Sequence, residues 1–210
     1  MGFAMSPITR VLVAAGLAAA PLQAAVAAPL DPARGGVSYG SFVPEGATTM
    51  APLAHVRFCM ERPADCEAGT AAASLDDDAL PILDRVNREV NRRIRPLAKR
   101  STIGRWEVAP ARGDCNDFAV TKRHALIARG LPAGALRLAV ARTSWGEGHL
   151  VLVAKTSAGD YVLDNLSNRL RPWDATGHAY SKIQSSSDPA GWVSVERRAP
   201  AVTFAFALRL

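Results

Sequence analysis

Three side chains in the second half of the chain could together carry out nucleophilic catalysis: Cys115, His149 and Asp164. An imidazole can activate a thiol as a nucleophile, and a carboxylate beyond the ring fixes the tautomer of the imidazole. These residue types therefore predict thiol catalysis, with Cys115 as nucleophile, His149 as base and Asp164 as orienting acid.

Cys115 follows Gly113 and Asp114 at the predicted start of a helix. Helix N-termini favour the thiolate form of cysteine, and their free N–H groups can stabilise an oxyanion. The alternative is an inert cysteine that packs as a small hydrophobic residue. The polar turn around Cys115 (GDCND) favours the reactive interpretation.

His149 and Asp164 lie at the ends of two predicted strands that a hairpin at residues 157–160 would join. An aspartate on the partner strand can reach across to the histidine. Taken singly, each residue has a commoner interpretation, a satisfied core histidine and a turn-forming aspartate. The pairing across the hairpin is what favours a catalytic role for both.

Other residues near the predicted site have weaker interpretations. Trp106 and Trp145 could line a cleft beside the thiolate, or they could pack in the core. Three further histidines have no metal-ligand spacing with one another or with a cysteine, and we predict them to be solvated or structural: His55, His124 and His178.

Two helices are predicted before the strands. Residues 74–95 place apolar side chains on one face. Ser74 would begin this helix through a capping box, or Asp78 would begin it later and place Pro81 in the first turn. Residues 115–129 form the second helix.

From residue 136 onward the pattern is typical of strands. Residues 136–141, 149–154 and 161–166 are predicted strands, and the alternation in residues 202–210 predicts a final one. Helices followed by a run of antiparallel strands predict an α+β fold in which N-terminal helices pack on an antiparallel sheet.

The N-terminal residues have the features of a secretory signal. Arg10 precedes an apolar stretch and a small-residue site at residues 25–27, so residues 1–27 are predicted to be a signal peptide. Residues 28–52 are rich in Gly, Pro, Ser and Ala and are predicted to form an extended N-terminal arm. Residues 53–210 then form the catalytic domain, and stable membrane insertion after cleavage is not expected.

The number and spacing of the cysteines are compatible with an exported protein, and the distribution of charge does not indicate a nucleic-acid-binding protein. Cys59 and Cys66 lie seven residues apart and could close a disulfide loop in an oxidising compartment, which leaves Cys115 unpaired. The net charge is +6, but the basic residues are scattered, with a modest cluster at residues 85–105. A solvated helix face explains this cluster better than a nucleic-acid patch, so no nucleic-acid partner is predicted.

The residues around the three candidate catalytic side chains resemble the bacterial transglutaminase-like cysteine peptidases. The main similarity lies in four segments: 106–110 (WEVAP), 113–123 (GDCNDFAVTKR), 145–153 (WGEGHLVLV) and 161–166 (YVLDNL). Residues 58–66 and, later in the chain, Tyr180, Gln184, Ser185 and Trp192 also fit, so the similarity spans roughly residues 50–195. The resemblance implies a papain-like, transglutaminase-like core with Cys115, His149 and Asp164 as catalytic triad. It also implies a periplasmic or secreted protease that acts on an envelope or cell-surface protein.

One position departs from this family. Its adhesin-releasing branch typically has an Asp-Cys-Glu-Asp turn whose acidic residues bind calcium, whereas this turn carries Asn116 between Cys115 and Asp117. A neutral amide should lower calcium affinity if a site exists there at all, so we predict no cofactor and assign no metal ligands, while calcium binding near Asp114 and Asp117 stays open. The same substitution puts an adhesin substrate in doubt. Two alternative functions stay open: transamidation by the same triad, and a catalytically silent periplasmic binding protein.

Overall fold

In the computed structural model, the residues that the structure describes are residue 2 and the ranges 41–67, 74–97, 104–188 and 190–196. The chain divides into two compact units, residues 1–37 and 38–210. All the elements below belong to the second unit. The predicted signal peptide lies outside the described residues except for residue 2, and the predicted strand at residues 202–210 lies wholly outside them.

Three helices and nine strands make up the described part of the second unit. In chain order they are β1 (Glu45–Thr49), α1 (Leu53–Glu61), α2 (Leu80–Arg93), β2 (Arg95–Pro96), β3 (Arg112–Gly113), α3 (Cys115–Ile127), β4 (Leu136–Arg142), β5 (Gly148–Thr156), β6 (Gly159–Leu163), β7 (Arg171–Pro172), β8 (Ala179–Gln184) and β9 (Trp192–Val195).

Seven of the strands form one antiparallel sheet, in the order β1-β9-β8-β4-β5-β6-β7. The remaining pair, β2 and β3, is a short parallel pair that joins the end of α2 to the residues before α3. With its helices before the main antiparallel strands, the chain has the predicted α+β fold class.

The strand β5 runs through the middle of the sheet and is buried on both faces. Leu150 and Leu152 belong to the core on the helix side, together with Leu83 of α2 and Phe118 of α3. Val151 and its neighbours on the same face belong to a second, smaller core. This two-sided burial explains why the sequence of β5 is a continuous apolar run and not an alternation.

The helix predicted at residues 74–95 begins later than a capping box at Ser74 requires. Residues Asp77–Ala79 form a 3-10 turn, and α2 starts at Leu80 with Pro81 in its first turn. Ser74 therefore caps no helix, and the capping-box prediction is wrong. Proline explains the later start, because its missing N–H is tolerated only where no intrahelical hydrogen bond is needed.

Cys59 of α1 and Cys66 form a disulfide, as the spacing of these cysteines suggested. Cys115 is the free thiol and is buried. Among the described helices, none combines the length and the apolar character that crossing a bilayer requires.

Candidate active site

Cys115 is the first residue of α3, and Asp114 caps the helix. The Asp114 carboxylate accepts a hydrogen bond from Asn116 N (2.9 Å), while Asp117 Oδ2 accepts one from Asp114 N (2.9 Å), which completes a capping box. These bonds occupy the carboxylates around the helix start and leave the Cys115 N–H without a hydrogen-bond partner among the described residues. Cys115 therefore lies where free N–H groups point towards a ligand.

The segment before α3 packs directly on the first turns of that helix. Asp117 Oδ1 accepts a hydrogen bond from Glu107 N (2.8 Å), and Thr121 Oγ1 accepts one from Ala109 N (2.8 Å). Gly113 is required by the same packing, because a Cβ atom there would lie 2.7 Å from Asp117 Cβ. The thiol is thus held on a helix end that is anchored on both sides.

His149 is the second residue of β5, where it pairs with Ala141 of β4, and its ring is buried. His149 Nε2 lies 2.8 Å from Asp164 Oδ1, so this nitrogen carries a proton and donates a hydrogen bond to the carboxylate. The Cys115 side chain acts together with Asp164 to raise the pKa of His149, so the thiol lies close to this ring. The imidazole therefore lies near both the thiol and the carboxylate.

Asp164 directly follows β6 and is fixed through both its side chain and its backbone. Its Oδ1 atom also accepts a hydrogen bond from Leu166 N (3.0 Å), and its carbonyl oxygen accepts one from Asn91 Nδ2 of α2 (2.9 Å). The structure thus brings together the three residues that the sequence singled out.

A fourth side chain, His178, completes this cluster. Its Nε2 atom lies 2.7 Å from Asp164 Oδ2, and its ring packs edge-on against His149 with the ring centroids 5.2 Å apart. The His178 side chain is only 7% exposed, so it is not a solvated histidine. The sequence carries no local signal for this position, because His178 reaches Asp164 only when β8 pairs with β4.

The pKa values of His149 and Asp164 are shifted in opposite directions. Burial alone would lower the pKa of His149, but its interactions with Asp164 and Cys115 outweigh burial and raise the pKa to about 9. Burial would raise the pKa of Asp164, but hydrogen bonds from His149 and His178 hold it well below its usual range. The pair is therefore an imidazolium and a carboxylate at neutral pH.

Lys122 lies seven residues beyond Cys115 on α3 and is completely buried. Its Nζ atom has no hydrogen-bond partner among the described residues and lies 5.8 Å from the centroid of the Phe118 ring. Burial lowers the pKa of Lys122 to about 7, although the negative charge of Asp164 acts in the opposite direction. A buried amine without a hydrogen-bonded counter-charge thus lies close enough to Asp164 to interact with the cluster.

The two tryptophans that could line a cleft have different environments. Trp106 is buried and packs against His55 and Phe58, so it belongs to the core. Trp145 is 61% exposed and lines a cavity of about 190 Å³ that also borders Asp164. Of the two, Trp145 is the one beside the candidate site.

Two groups of side chains among the described residues have the spacing of metal ligands. His55 lies with Cys59 and Cys66, but the sulfurs of these cysteines are bonded to each other. The other group is His149, Asp164 and His178, in which each histidine is at hydrogen-bond distance from the carboxylate. Protons shared along N–H···O bonds account for this second arrangement without a metal ion.

The turn around Cys115 borders a cavity of about 100 Å³ that is lined by both acidic and basic residues. Glu107, Asp114 and Asp117 line it together with Arg105 and Arg112, and Arg105 Nε binds Glu61 (2.8 Å). Both oxygens of Asp117 accept backbone hydrogen bonds. Asn116 adds no charge to the turn.

This arrangement can support acyl transfer. A thiol at a helix N-terminus, a histidine close to it and a carboxylate hydrogen-bonded to the histidine are the parts of an activated sulfur nucleophile. The N–H of Cys115 supplies a donor for an oxyanion.

Solved structures of Legionella pneumophila LapG are similar to this chain. One gives a TM-score of 0.43 and 23% identity, over 50% of this chain and 62% of that chain. The calcium-bound form gives a TM-score of 0.47 and 21% identity, over 59% of this chain and 73% of that chain. The EGTA-treated form gives a TM-score of 0.44 and 23% identity, over 51% of this chain and 64% of that chain.

A search of curated protein sequences gives no match. The family model described as bacterial transglutaminase-like cysteine proteinase matches residues 45–199, which is more than half of the chain. The matched range includes the thiol, the imidazole and the carboxylate described above, and it confirms the resemblance seen in the sequence motifs. The chain belongs to the bacterial transglutaminase-like cysteine proteinase family.

Proposed function

We propose that this chain is an exported cysteine peptidase that hydrolyses a peptide bond through Cys115, His149 and Asp164. The observation that carries the proposal is the position of His149, whose ring is hydrogen-bonded to Asp164 and whose pKa is raised in part by the nearby thiol of Cys115. Membership of a cysteine proteinase family supports the same reaction. We call these three residues the triad.

The reaction proceeds through a thioester. The Cys115 thiolate attacks the carbonyl carbon of the substrate, the new C–S bond forms, and the carbonyl electron pair moves to the oxygen, which accepts a hydrogen bond from the Cys115 N–H. The His149 imidazolium then protonates the leaving amine as the C–N bond breaks. Neutral His149 next removes a proton from water, whose oxygen attacks the thioester. Release of the acid restores the thiolate and the imidazolium.

His178 acts as a positioning residue in this mechanism. Its Nε2–H donates a hydrogen bond to Asp164 Oδ2 and so holds the carboxylate in the orientation in which Oδ1 accepts a hydrogen bond from His149. A charge-assisted hydrogen bond of this type is stronger than a neutral one and restricts rotation of the carboxylate. The imidazolium that develops during turnover is thereby kept in one orientation.

Export is part of the proposal. Residues 1–27 have the pattern of a secretory signal, and a disulfide such as Cys59–Cys66 persists in oxidising compartments. We therefore assign the mature protein to the periplasm or the cell exterior, with an envelope or cell-surface protein as its substrate.

We further propose that this activity does not require calcium. Support comes from the neutral Asn116 and from the backbone hydrogen bonds that both oxygens of Asp117 accept. One of the LapG structures is calcium-bound, which is a property of that protein. Equal turnover of this chain in EGTA and in millimolar calcium chloride is expected, and a loss of activity in EGTA would contradict this part of the proposal.

The test of the reaction is turnover of an envelope-protein extract by Cys115→Ala and His149→Ala variants. We expect each to lose activity by about a thousandfold or more, because the triad acts as a unit. His124→Ala is the matched control, since His124 lies at the far end of α3 and should keep wild-type turnover. Wild-type activity in either triad variant would contradict the mechanism.

The same assay separates the alternative outcomes. Transamidation uses the same triad and differs only in whether an amine or water accepts the acyl group. An added primary amine that appears in the product, in place of hydrolysis, would identify a transamidase. A silent binding protein would show no turnover at all.

A further inference from the structure

The cavity of about 190 Å³ next to the triad is lined partly by residues that have no role in the proposed mechanism. Asp164 and His178 form one side, and Trp145, Arg169 and Arg171 line it elsewhere. Asp164 is the triad residue that lines this cavity, so the cavity adjoins the carboxylate end of the triad. A peptide chain advances about 3.3–3.6 Å per residue, so a side chain a few residues from the scissile bond can reach it.

The charges around this cavity favour an anion. Within the described part of the chain, neither Arg169 nor Arg171 forms an ion pair, and both residues are exposed. Asp164 is the acidic residue of the lining, and both of its oxygens already accept hydrogen bonds from histidines. Two guanidinium groups therefore line the cavity without a carboxylate paired to them.

Another group that lines the cavity suits an amphipathic side chain. The indole of Trp145 offers an exposed flat surface against which a short aliphatic stem can pack. A carboxylate on a short stem, as in glutamate or aspartate, matches this combination, since guanidinium binds carboxylate through paired N–H donors.

We propose that this cavity is a substrate subsite that accepts an acidic side chain of the peptide, with Arg169 and Arg171 binding its carboxylate. This inference rests on the proposed peptidase function, because it assigns the substrate class of the same active site. It makes the enzyme selective for substrates with Glu or Asp within a few residues of the cleaved bond. The acyl-transfer chemistry itself is unchanged.

The first test measures binding without catalysis. Full-length Cys115→Ala protein is titrated with N-acetylglutamate α-amide and, separately, with N-acetylglutamine α-amide, and NMR shifts of the Trp145 indole and of the arginine side chains are followed. We expect saturable binding of the glutamate probe that is at least tenfold tighter than that of the glutamine probe. Equal binding of the two probes, or binding of neither, would overturn the proposal.

Matched variants assign this binding to the arginines. The Arg169→Gln/Arg171→Gln double variant should lose the preference for the glutamate probe, whereas Arg85→Gln should keep it. Arg85 is an exposed arginine of α2 that does not line the cavity, and its substitution removes one positive charge. An unchanged preference in the double variant would refute the assignment.

The second test uses paired peptides that differ only by Glu or Gln at each position around the cleaved bond. At one position the wild-type enzyme should cleave the Glu peptide at least tenfold faster in kcat/KM, and the double variant should reduce this ratio towards one. Cleavage without any acidic preference would contradict the subsite but not the peptidase. Absence of all cleavage would contradict the peptidase, while the binding result would still decide on the subsite. If free glutarate binds the cavity and acidic peptides are not preferred, the proposal also fails.

Discussion

His178 Nε2 lies 2.7 Å from Asp164 Oδ2, the carboxylate oxygen that is not bonded to His149. The two histidine rings pack edge-on, and each is hydrogen-bonded to one oxygen of the Asp164 carboxylate. In a catalytic triad the carboxylate orients the imidazole, and here the buried side chain of His178 in turn holds the carboxylate of Asp164.

Replacement of His178 tests this support. His178→Ala should lower kcat by about 10- to 100-fold, which corresponds to the ~1.5–3 kcal/mol of a hydrogen bond to a charged group. For a substrate without an acidic side chain, KM should change little, because His178 lines the proposed acidic subsite but does not touch the substrate carbonyl in the mechanism. His178→Asn should recover part of kcat, since its amide N–H can donate to Asp164.

Steady-state kinetics and thermal unfolding of each variant separate positioning from a purely structural role. His124→Ala serves as a control. If the Ala and Asn variants lost stability and activity in parallel, a structural role would explain both losses and the positioning role would be wrong.

The pH dependence of activity follows from His149. Its pKa is raised to about 9, so the imidazolium needed to protonate the leaving amine is lost above that pH. We expect kcat/KM to fall on the alkaline side with a midpoint near pH 9. In Asp164→Asn, the midpoint should move to lower pH, because the hydrogen bond to a charged carboxylate is lost. An unchanged alkaline midpoint in this variant would contradict the assignment to His149.

The same pKa shift couples folding stability to pH. Since the pKa of His149 rises from 6.5 to about 9 on folding, its contribution to stability is fully present below pH 6.5 and is lost as the pH rises to about 9. Urea unfolding at pH 6 and pH 9.5 should therefore show a smaller difference in His149→Gln than in the wild type.

Lys122 should also make stability depend on pH, but in the opposite direction to His149, because its pKa is lowered on folding and not raised. Its pKa falls from the ordinary lysine value of 10.5 to about 7 in the folded state, so the unfolded chain binds more protons between these values and stability rises with pH. Lys122→Met removes this penalty and should stabilise the fold by about 1–4 kcal/mol near pH 7, and by less at pH 10. Urea unfolding at both pH values measures the difference.

Lys155→Met is the control for this prediction, because Lys155 is a partly exposed lysine of β5, whereas Lys122 is completely buried. A destabilised Lys122→Met protein with the same deficit at both pH values would show that the lysine has a buried partner that compensates its charge.

Arg137 should be essential for anchoring β1 to the centre of the sheet. Its guanidinium is 2% exposed and binds Glu45 of β1 and Asp160 of β6, each at 2.7 Å. Arg137→Met leaves the buried Asp160 without its partner, which should cost about 3–5 kcal/mol in urea unfolding. Arg137→Met/Asp160→Asn should recover part of this loss. Equal stability of the single variant and the wild type would show that the ion pair adds nothing.

The elements that could be predicted from sequence are those fixed by neighbours along the chain. Asp114 caps α3 directly before Cys115, and β5 and β6 meet through a short hairpin that brings His149 towards Asp164. Each relationship spans few residues, so residue type and spacing were sufficient.

The remaining features depend on long-range pairing. The strands β1, β8 and β9 were not predicted, since their sequences are short and β8 finds its place beside β4 only after the chain has passed through β5, β6 and β7. His178 immediately precedes β8, and its contact with Asp164 follows from that placement. Which tryptophan packs in the core likewise depends on tertiary contacts, because Trp106 meets His55 and Phe58 of α1.

The central claim is that His149 activates the thiol of Cys115, and alkylation by iodoacetamide tests it most directly. Cys59 and Cys66 are joined in a disulfide, so Cys115 is the thiol that reacts. The rate of carboxamidomethylation at pH 6, followed by mass spectrometry, should be at least tenfold higher in the wild type than in His149→Ala, with His124→Ala equal to the wild type. Equal rates in the wild type and in His149→Ala would contradict the account.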